Sequence, residues 1–366
     1  MSVALIILGA GKGTRMNSEL PKVLHPIAGA PMLVHAMRAG ATLDPAHTVI
    51  VAGHGAEAVS TAATAFDEKA EVALQTEQLG TAHAVAQAQD ALKGFDGNAL
   101  VLYGDTPFIQ PETLEAMATA RAHHDVVVLG FDAADPGRYG RLVQNAEGGL
   151  EKIVEAKDAT AVELAITLCN SGVKCASRAD LFALLEQVDN DNASEEFYLT
   201  DIVGIARSSG LKCAAISCSE AETMGVNSRA DLADAEAAFQ TRTRAEALEN
   251  GVTMHAPETV FFAFDTLVGR DAILEPNVVF GPNATIESGA VIRAFSHLEG
   301  CHVGQQATVG PYARLRPGAE IGNAARVGNF VEVKSAIVGE GAKINHLSYV
   351  GDAEIGDAAN IGAGTI

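Results

Sequence analysis

The chain has 366 residues, of which 48% are hydrophobic and 5% aromatic, with 36 glycines and no tryptophan. This length predicts two or three domains, and many glycines with few aromatic side chains favour a repetitive, tightly wound segment in one of them. The formal net charge of -21 at pH 7 argues against nucleic acid or an anionic membrane surface as a partner. A small anionic substrate remains possible where local cations offset the overall charge.

The cysteines and the amino-terminal segment bear on location. An odd number of cysteines without metal-site spacing predicts reduced thiols. The first residues lack the basic region of a signal peptide, and their apolar run is too short to cross a bilayer. We therefore expect a cytoplasmic protein. The cysteines are Cys169, Cys175, Cys213, Cys218 and Cys301.

Residues 1–227 alternate short aliphatic segments with alanine-rich amphipathic ones. The aliphatic segments predict buried parallel strands at 3–8, 48–52, 99–103 and 125–129. The amphipathic segments predict helices, among them 32–41, 81–91 and 111–123. This alternation predicts a doubly wound, Rossmann-like α/β domain whose ligand crevice lies at the carboxyl ends of its strands.

A glycine-rich loop follows the first predicted strand, where residues 8–16 read Leu-Gly-Ala-Gly-Lys-Gly-Thr-Arg-Met. Glycines let the backbone approach an oxyanion, and its N–H groups can bind phosphate oxygens. Arg15 and Lys22 can neutralise phosphate charge. The order of residues fits neither the P-loop nor the G-x-G-x-x-G pattern. A turn that only joins strand to helix is the other interpretation, and the two cations favour a nucleoside triphosphate site.

Residues 228–250 contain no glycine, proline or valine and few apolar side chains, which predicts a connecting helix. Ser228 suits its N-cap, and Gly251 suits the position after its last turn.

From residue 251 onward, aliphatic or aromatic anchors recur every six positions, with three five-residue steps. Such a hexapeptide period predicts a parallel β-helix with three flat faces and coils of about eighteen residues. The anchors are Val268, Leu274, Phe280, Ile286, Ile292, Leu298, Val303, Val309, Leu315, Ile321, Val327, Val333, Val338, Ile344, Val350, Ile355 and Ile361.

Together these motifs resemble the family of bifunctional N-acetylglucosamine-1-phosphate uridyltransferase/glucosamine-1-phosphate N-acetyltransferases, GlmU. The resemblance runs the whole length, and the order and spacing of the motifs make it specific. It implies a left-handed β-helix and three segments: a uridyltransferase domain (1–227), a linker helix (228–250) and an acetyltransferase domain (251–366). The matching segments are 11–16, 20–25, 75, 78–83, 103–105, 137–141, 153–158, 170–172, 225–227, 313–318, 327–332, 346–349 and 360–364.

For the first domain the resemblance implies transfer of uridylyl from UTP to N-acetylglucosamine-1-phosphate, giving UDP-N-acetylglucosamine and pyrophosphate. It implies that Arg15 and Lys22 act on the phosphates, and that Asp105 and Asn227 bind Mg²⁺. The implied nucleotide-binding residues are Leu8, Gly9, Ala10, Gly11, Gln75, Gly80 and Thr81. The implied sugar-binding residues are Tyr103, Gly104, Gly140, Glu155, Asn170 and Asn227.

For the second domain the resemblance implies acetyl transfer from acetyl-CoA to glucosamine-1-phosphate. His346 is the implied base for the attacking amine, a task that suits a histidine because its pKa lies near neutrality. The implied acceptor residues are Arg316, Lys334, Tyr349 and Asn360, with Ala363 beside the CoA. The resemblance also implies a homotrimer and a role in peptidoglycan and lipopolysaccharide precursor synthesis.

The sequence departs from the family in two places. Gly9 stands where the family's loop more often has alanine, which we expect to be tolerated. The hexapeptide repeat is still in phase at 361–366 without a polar capping element, so we expect a chain cut in mid-coil or a neighbour covering its open end. On that expectation uridylyl transfer is intact and acetyl transfer is weak or absent.

Other interpretations stay open at this point. The chain can be another sugar-nucleotide pyrophosphorylase whose β-helix is only a scaffold, or a regulatory subunit without catalysis. Among the single residues, Asp105 can be a turn former, Glu155 can pair with Lys157 on the surface, Asn227 can cap the linker helix, and His346 can be a turn residue.

Overall fold

The computed structural model describes residues 2–192 and 194–366. The chain divides into two compact units, Met1–His25 with Pro31–Leu232, and Pro26–Ala30 with Ala233–Ile366. The small segment Pro26–Ala30 was not expected in the second unit. Its Ala28 N–H donates to the Glu236 carboxylate at 2.7 Å, and its Ala28 carbonyl accepts from Phe264 N at 2.9 Å. The boundaries inferred from sequence remain predictions.

Among the described residues, nine strands of the first unit form one sheet in the order β11-β7-β10-β6-β1-β4-β5, with β8 attached to β10 and β9 attached to β8. β2 and β3 pair separately as a two-stranded ribbon. In chain order the strands are β1 (Val3–Gly9), β2 (Pro26–Ile27), β3 (Ala30–Pro31), β4 (His47–Ala52), β5 (Glu71–Leu74), β6 (Asn98–Tyr103), β7 (Val126–Asp132), β8 (Arg141–Gln144), β9 (Leu150–Val154), β10 (Leu168–Ser177) and β11 (Cys213–Cys218).

The strands inferred from aliphatic runs are found as β1, β4, β6 and β7, and they pack on both sides. One hydrophobic cluster covers each face of the sheet, which explains why these strands read as continuous apolar runs instead of alternating ones. β1 runs parallel to β4 and β6, so their carboxyl ends meet at one edge. The glycine loop leaves β1 at that edge.

Within the row of strands from β11 to β5, β10 breaks the parallel arrangement, because it runs antiparallel between β6 and β7. The chain reaches it from β7 through the antiparallel pair β8–β9 and a short helix. Its register with β7 shifts between Asn170 and Lys174, which is a bulge. The bulge lies next to the sites described below.

The α-helices are amphipathic segments that cover the sheet, followed by the long connecting helix. Two of them are shorter than predicted, because beyond Ala86 and Ala120 the backbone N–H groups donate three residues back and the turns tighten. The helices are α1 (Met32–Ala41), α2 (Ala56–Phe66), α3 (Thr81–Ala86), α4 (Pro111–Ala120), α5 (Ala161–Leu164), α6 (Arg178–Leu185), α7 (Asp201–Ser208) and α8 (Arg229–Glu249).

α8 begins and ends at the predicted residues. The Ser228 hydroxyl accepts from Asp231 N at 3.2 Å, and the Asp231 carboxylate accepts from Ser228 N and Asn227 N, each at 2.9 Å. This is the reciprocal N-terminal cap expected of serine with an acid three residues on. At the other end Gly251 N donates to Leu248 O at 3.1 Å. No helix in the described residues is long and apolar enough to span a bilayer.

The second unit is a parallel β-helix. Ile273 pairs with Val291, and Val291 with Thr308, so successive coils take eighteen or seventeen residues as predicted. The strands are β12 (Thr253–Met254), β13 (Leu267–Val268), β14 (Ile273–Leu274), β15 (Val279–Phe280), β16 (Ala284–Ile286), β17 (Val291–Ile292), β18 (His297–Leu298), β19 (Cys301–Val303), β20 (Thr308–Val309), β21 (Arg314–Leu315), β22 (Ala319–Ile321), β23 (Arg326–Lys334), β24 (Ala336–Val338), β25 (Lys343–Gly351), β26 (Glu354–Ile355) and β27 (Asn360–Ile361).

Three faces build this prism. The first face carries β12, β14, β17, β20, β23, β25 and β27; the second carries β15, β18, β21 and the ends of β23 and β25; the third carries β13, β16, β19, β22, β24 and β26. β23 and β25 turn a corner and so belong to two faces. All the predicted anchors belong to one hydrophobic core, with Val268, Ile355 and Ile361 only partly buried. The hexapeptide prediction is confirmed.

Candidate functional site

A cavity of about 270 Å³ opens at the carboxyl edge of β1 and β6. Its wall contains most of the residues that the sequence placed around a nucleotide, because the glycine loop, the segment before α3 and the ends of two strands converge there. The lining residues are Leu8, Gly9, Ala10, Gly11, Lys22, Val23, Gln75, Gln78, Gly80, Thr81, Ala84, Tyr103, Asp105 and Glu196.

Gln75 forms the buried floor of this cavity, with only 3% of its surface exposed. Its side-chain amide donates to Gly80 O at 3.2 Å and lies 3.1 Å from His83 Nδ1. Thr81 begins α3, and its hydroxyl accepts from Leu199 N at 3.0 Å. These hydrogen bonds fix the side chains of Gln75 and Thr81 in the cavity wall, where a planar base could form hydrogen bonds with their polar atoms.

The glycine loop also packs closely against the aliphatic part of the Lys22 side chain. Gly13 has a positive φ of 59°, and a Cβ at this position would lie 2.6 Å from Lys22 Cβ. Only glycine allows that approach. Gly9 is different, because an added Cβ there would have its nearest neighbour, Val23 Cγ2, at 3.5 Å, an ordinary contact. The alanine that is more common at this position in the family would therefore fit here without a clash.

The ammonium of Lys22 lies between two oxygens from distant parts of the chain. It pairs with the Asp105 carboxylate and donates to Asn227 Oδ1 at 3.1 Å. Asp105 directs its side chain to this point while its backbone oxygen accepts from Val226 N at 3.0 Å. Asn227 is not the cap of α8, because Ser228 takes that role.

These oxygens fit a divalent metal. A carboxylate and an amide oxygen already converge on a positive charge, and both are hard ligands of the kind that Mg²⁺ takes. Within residues 2–192 and 194–366 no group of three or more His, Cys, Asp or Glu side chains could hold a metal. With Asp105 and Asn227 as protein ligands, a metal here would complete its shell with phosphate and water oxygens, as Mg²⁺ commonly does at nucleotide sites.

Arg15, Gly104 and Asn227 are predicted residues that lie outside this cavity wall, although Asn227 contacts Lys22 of the wall. Arg15 is exposed in the 3-10 turn Thr14–Met16 and is not among the lining residues. Gly104 is not among them either, because its N–H donates to Leu8 O at 2.9 Å and it joins the two strand ends.

A second cavity of about 630 Å³ shares Thr81, Tyr103 and Glu196 with the first, so the two are adjacent. Glu155 and Asn170, two of the residues predicted to bind the sugar, line it. Gly140 lies behind them, with its carbonyl accepting from Asn170 N at 2.8 Å. The further lining residues are Gly137, Arg138, Ala156, Lys157, Leu164, Ser194, Tyr198 and Thr200.

Glu155 and Lys157 do not form the surface ion pair that was one interpretation of the sequence. Lys157 donates its ammonium to Ser194 Oγ at 3.1 Å, and Glu155 faces the cavity.

Burial and like charges set the electrostatics of this second cavity. Burial raises the pKa of Tyr103, and the charges of Asp105 and Glu155 add to that shift. Burial, with the charges of Asp189 and Glu155 nearby, raises the pKa of Asp201 to about 6. Burial lowers the pKa of Lys174 to about 8, against the attraction of Glu155 and Asp201. Displaced pKa values of this kind concentrate at functional sites.

The β-helix carries a cavity of about 490 Å³, whose lining includes Tyr349 of the predicted acetyl-acceptor residues together with Tyr312, Arg314, Phe330 and Glu332.

The other predicted residues of the β-helix lie on different faces. Arg316 and Lys334 follow strands of the second face on successive coils, and Arg316 donates to Glu332 at 2.9 Å. His346 is exposed at the corner between the first and second faces, Asn360 lies on the first face, and Ala363 is exposed beyond β27. A single chain therefore does not bring these predicted residues together at one site. They are Arg316, Lys334, His346, Asn360 and Ala363.

Comparison with known proteins decides the family. The profile of the MobA-like NTP transferase domain matches residues 5–200. Over 366 residues the chain is 66% identical to the bifunctional protein GlmU of Roseobacter denitrificans, covering 100% of this chain and 81% of that protein. It is 68% identical to the GlmU of Ruegeria pomeroyi with the same coverage, and 61% identical to that of Jannaschia sp. over 364 residues, covering 100% of this chain and 80% of that protein.

The chain belongs to the GlmU family.

Solved structures support the fold of the first unit. A UDP-glucose pyrophosphorylase complexed with UDP-glucose superposes with a TM-score of 0.54 at 17% identity, covering 66% of this chain and 100% of that one. The inositol-1-phosphate CTP transferase from T. maritima gives a TM-score of 0.52 at 15% identity, covering 65% and 96%. At such identities the similarity concerns the fold alone.

Membership of the GlmU family gives the chain its activities. It is a bifunctional transferase that makes UDP-N-acetylglucosamine by uridylyl transfer and acetylates glucosamine-1-phosphate, in the synthesis of cell-wall precursors. It therefore uses nucleotide, sugar-phosphate and acetyl-CoA substrates. The two alternatives, a pyrophosphorylase with a scaffold β-helix and a non-catalytic subunit, are not favoured.

The structure adds residues that the GlmU motifs did not single out. Gln78 and Glu196 line the first cavity, and Gln78 could have been noticed inside the motif 78–83. Thr200 lines the second cavity with a buried hydroxyl for which no hydrogen-bond partner is found in the described residues. Lys174 is buried, and its ammonium is attracted by Glu155, which lines this cavity. Nothing in the sequence marks a lysine within an apolar strand as a site residue.

Proposed function

We propose that the two adjacent cavities of the first unit are the two halves of the uridylyl-transfer site. The first cavity takes UTP, with the uracil against Gln75, Gly80 and Thr81. The second takes N-acetylglucosamine-1-phosphate. The observation that carries this proposal is the shared wall of Thr81, Tyr103 and Glu196, because two substrates that react with each other need touching sites.

In this proposal the reaction is a displacement at the α-phosphorus of UTP. A phosphate oxygen of the sugar phosphate forms the new bond to that phosphorus, the bond to the bridging oxygen breaks, and pyrophosphate leaves with the electron pair. Such a step needs alignment and charge neutralisation more than covalent participation by the protein. The backbone at Leu8–Gly11 and the ammonium of Lys22 supply donors where the phosphates would lie. Arg15, exposed in the free chain, would add its charge to the leaving pyrophosphate.

We assign Asp105 and Asn227 as the protein ligands of one Mg²⁺. When bound, the ion would neutralise phosphate charge and orient the α-phosphate. The support is the convergence of both oxygens on the Lys22 ammonium, a cation already held between them.

The sugar would be recognised from the second cavity. Glu155 can accept from sugar hydroxyls, and Asn170 can donate to the carbonyl of an acetamido group. Gly140 sets the floor by holding the backbone of Asn170.

We further propose that acetyl transfer uses a site shared between copies of the chain, as a homotrimer. His346 would take the proton of the attacking amine of glucosamine-1-phosphate, and the amine nitrogen would form the bond to the acetyl carbonyl as the CoA thiolate leaves. Arg316 and Lys334 would hold the phosphate, with Tyr349 and Asn360 on the sugar and Ala363 beside CoA. The support is that Asn360 lies on another face than Arg316 and Lys334, with His346 at the corner between the two faces, so a neighbouring prism can complete the set.

Replacing Asp105 tests the first site. The variant Asp105→Asn removes one charge from the proposed ligand pair, so we expect pyrophosphate release from UTP and N-acetylglucosamine-1-phosphate to fall about 100-fold or more. Binding of Mn²⁺, followed by electron paramagnetic resonance in the presence of UTP, should weaken at least about tenfold.

The exposed variant Asp96→Asn is the matched control and should behave as wild type. Unchanged Mn²⁺ binding and turnover in Asp105→Asn would remove Asp105 from the site.

A further inference from the structure

Lys174 is a fully buried cation that none of the proposed steps uses. It lies in the middle of β10 with 1% of its surface exposed, and its register partners are Val101 on β6 and Val128 on β7. Its ammonium donates to Gly172 O at 3.1 Å. A neutral carbonyl is weak compensation for an ammonium taken out of water. A methionine of similar length would avoid that cost, so packing does not explain this lysine.

Lys174 is linked to the sugar cavity through Gly172, whose carbonyl accepts its hydrogen bond. Gly172 has a positive φ of 97°, and a Cβ there would lie 2.6 Å from the ring of Tyr103. Its N–H donates to Asn170 Oδ1 at 3.0 Å. The same peptide segment is thus held from three sides, by the ring of Tyr103, the ammonium of Lys174 and the side chain of Asn170.

This arrangement decides which end of the Asn170 amide faces the cavity. The oxygen must be the atom that meets the Gly172 N–H, because only the oxygen accepts a hydrogen bond. The NH₂ end is then left for a ligand in the cavity that Asn170 lines. An NH₂ donor suits the carbonyl of an acetamido group.

Charge adds a second link to the same cavity. Glu155 and Asp201 are the carboxylates that attract the Lys174 ammonium, and Glu155 lines the cavity. A sugar phosphate brings further negative charge to this place. A cation behind the wall offsets part of that repulsion without competing for the substrate's hydrogen bonds.

We propose that Lys174 is a positioning residue for the sugar-phosphate half of the site, where it fixes Gly172 and thereby orients Asn170 for a 2-acetamido sugar. The inference rests on the proposed function of the second cavity. It assigns to Lys174 the discrimination between a sugar phosphate that carries an acetamido group and one that carries a hydroxyl at the same carbon.

The variant Lys174→Met keeps length and removes the charge and the donor. We expect its KM for N-acetylglucosamine-1-phosphate to rise at least about fivefold, the effect of one lost hydrogen bond, with the KM for UTP within about twofold of wild type. The preference for N-acetylglucosamine-1-phosphate over glucose-1-phosphate, as a ratio of kcat/KM values, should fall at least about fivefold. The protein should stay folded by circular dichroism, because the buried charge does not stabilise it.

A double-mutant cycle with Asn170→Ala shows whether Lys174 acts through Asn170. In that case the double variant should discriminate no worse than Asn170→Ala alone. Cys175→Ala is the matched control, because Cys175 is equally buried on the same strand but packs against the opposite face of the sheet. It should lower the melting temperature and leave both KM values unchanged.

Several results would overturn the inference: an unaltered KM for the sugar phosphate, an equal rise for both substrates, additive effects in the cycle, or a Lys174→Met protein that does not fold. A wild-type enzyme that releases no pyrophosphate from UTP and N-acetylglucosamine-1-phosphate would instead contradict the proposed function itself. The wild-type assay therefore separates the two failures.

Discussion

Lys22 and Lys174 are lysines of the same unit in opposite surroundings. Lys22 has two oxygen partners, Asp105 and Asn227, and faces an open cavity. Lys174 has a neutral carbonyl as its hydrogen-bond partner and is sealed within the sheet. The first arrangement compensates the charge of the ammonium with oxygen partners, whereas the second holds a charge at a cost. Because of this cost, the free energy of unfolding should depend on pH in a way that can be assigned to Lys174.

The stability of the protein should respond to pH through Lys174. Burial lowers its pKa from 10.5 to about 8 in the folded chain. Below pH 8 both folded and unfolded states hold the proton; between pH 8 and 10.5 the unfolded state binds more protons, so this group adds stability as the pH rises. The free energy of unfolding of wild type minus that of Lys174→Met should therefore increase by about 3 kcal/mol across that window.

Urea unfolding of both proteins at pH 7, 8, 9 and 10, followed by circular dichroism, gives this difference. The cysteines and tyrosines titrate in both proteins, so their contribution to the pH dependence cancels in this difference. A difference that stays flat with pH would mean that Lys174 is not perturbed in the folded state.

At the residue scale the sequence predicted the site unevenly. The glycine loop and Asp105 could be placed at one edge because they follow strand ends, where a doubly wound sheet binds ligands. Gln75, Gly80 and Thr81 could be named only through the resemblance to the GlmU family. Arg15 does not lie directly at a strand end, and it is exposed. Lys174 was missed because burial depends on which strands flank β10, which no local pattern reveals.

At the element scale, periodicity predicted more of the fold than composition did. The aliphatic runs became the central strands β1, β4, β6 and β7, because burial on both faces removes the alternation of half-exposed strands. The reversed direction of β10 was not predicted, because direction depends on the connection between strands. The bulge in β10 that presents Asn170 and Gly172 belongs to that same unpredicted strand.

The β-helix was the most predictable element. Each inward residue of a coil occupies the same place as one on the next coil, so a single period describes the whole core. What the period does not describe is the outside of the prism. Phe295, Tyr312 and Phe330 stack on successive coils, with ring centroids 5.0 and 5.4 Å apart, and Leu347 continues the row exposed.

At the scale of the whole molecule, this row of exposed apolar residues supports the proposed homotrimer, because large exposed apolar rows mark interaction surfaces. Light scattering coupled to size exclusion should give three times the 37.8 kDa mass of one chain. The double variant Tyr312→Asp, Phe330→Asp should reduce the mass toward that of a single chain, and it should lower acetyl transfer while uridylyl transfer stays within about twofold.

Thr285→Asp, on the third face of the prism, is the control and should leave the mass unchanged. A wild-type mass of one chain at every concentration would contradict the trimer.

The most direct measurement of the central claim is pyrophosphate release by the wild-type chain with Mg²⁺, in all four combinations of UTP or ATP with N-acetylglucosamine-1-phosphate or glucose-1-phosphate. We expect UTP with N-acetylglucosamine-1-phosphate to be turned over with a kcat/KM at least about 100-fold above that of the other pairs, and the nucleotide product to have the mass of UDP-N-acetylglucosamine. No pyrophosphate from that pair, or equal turnover of ATP, would contradict it.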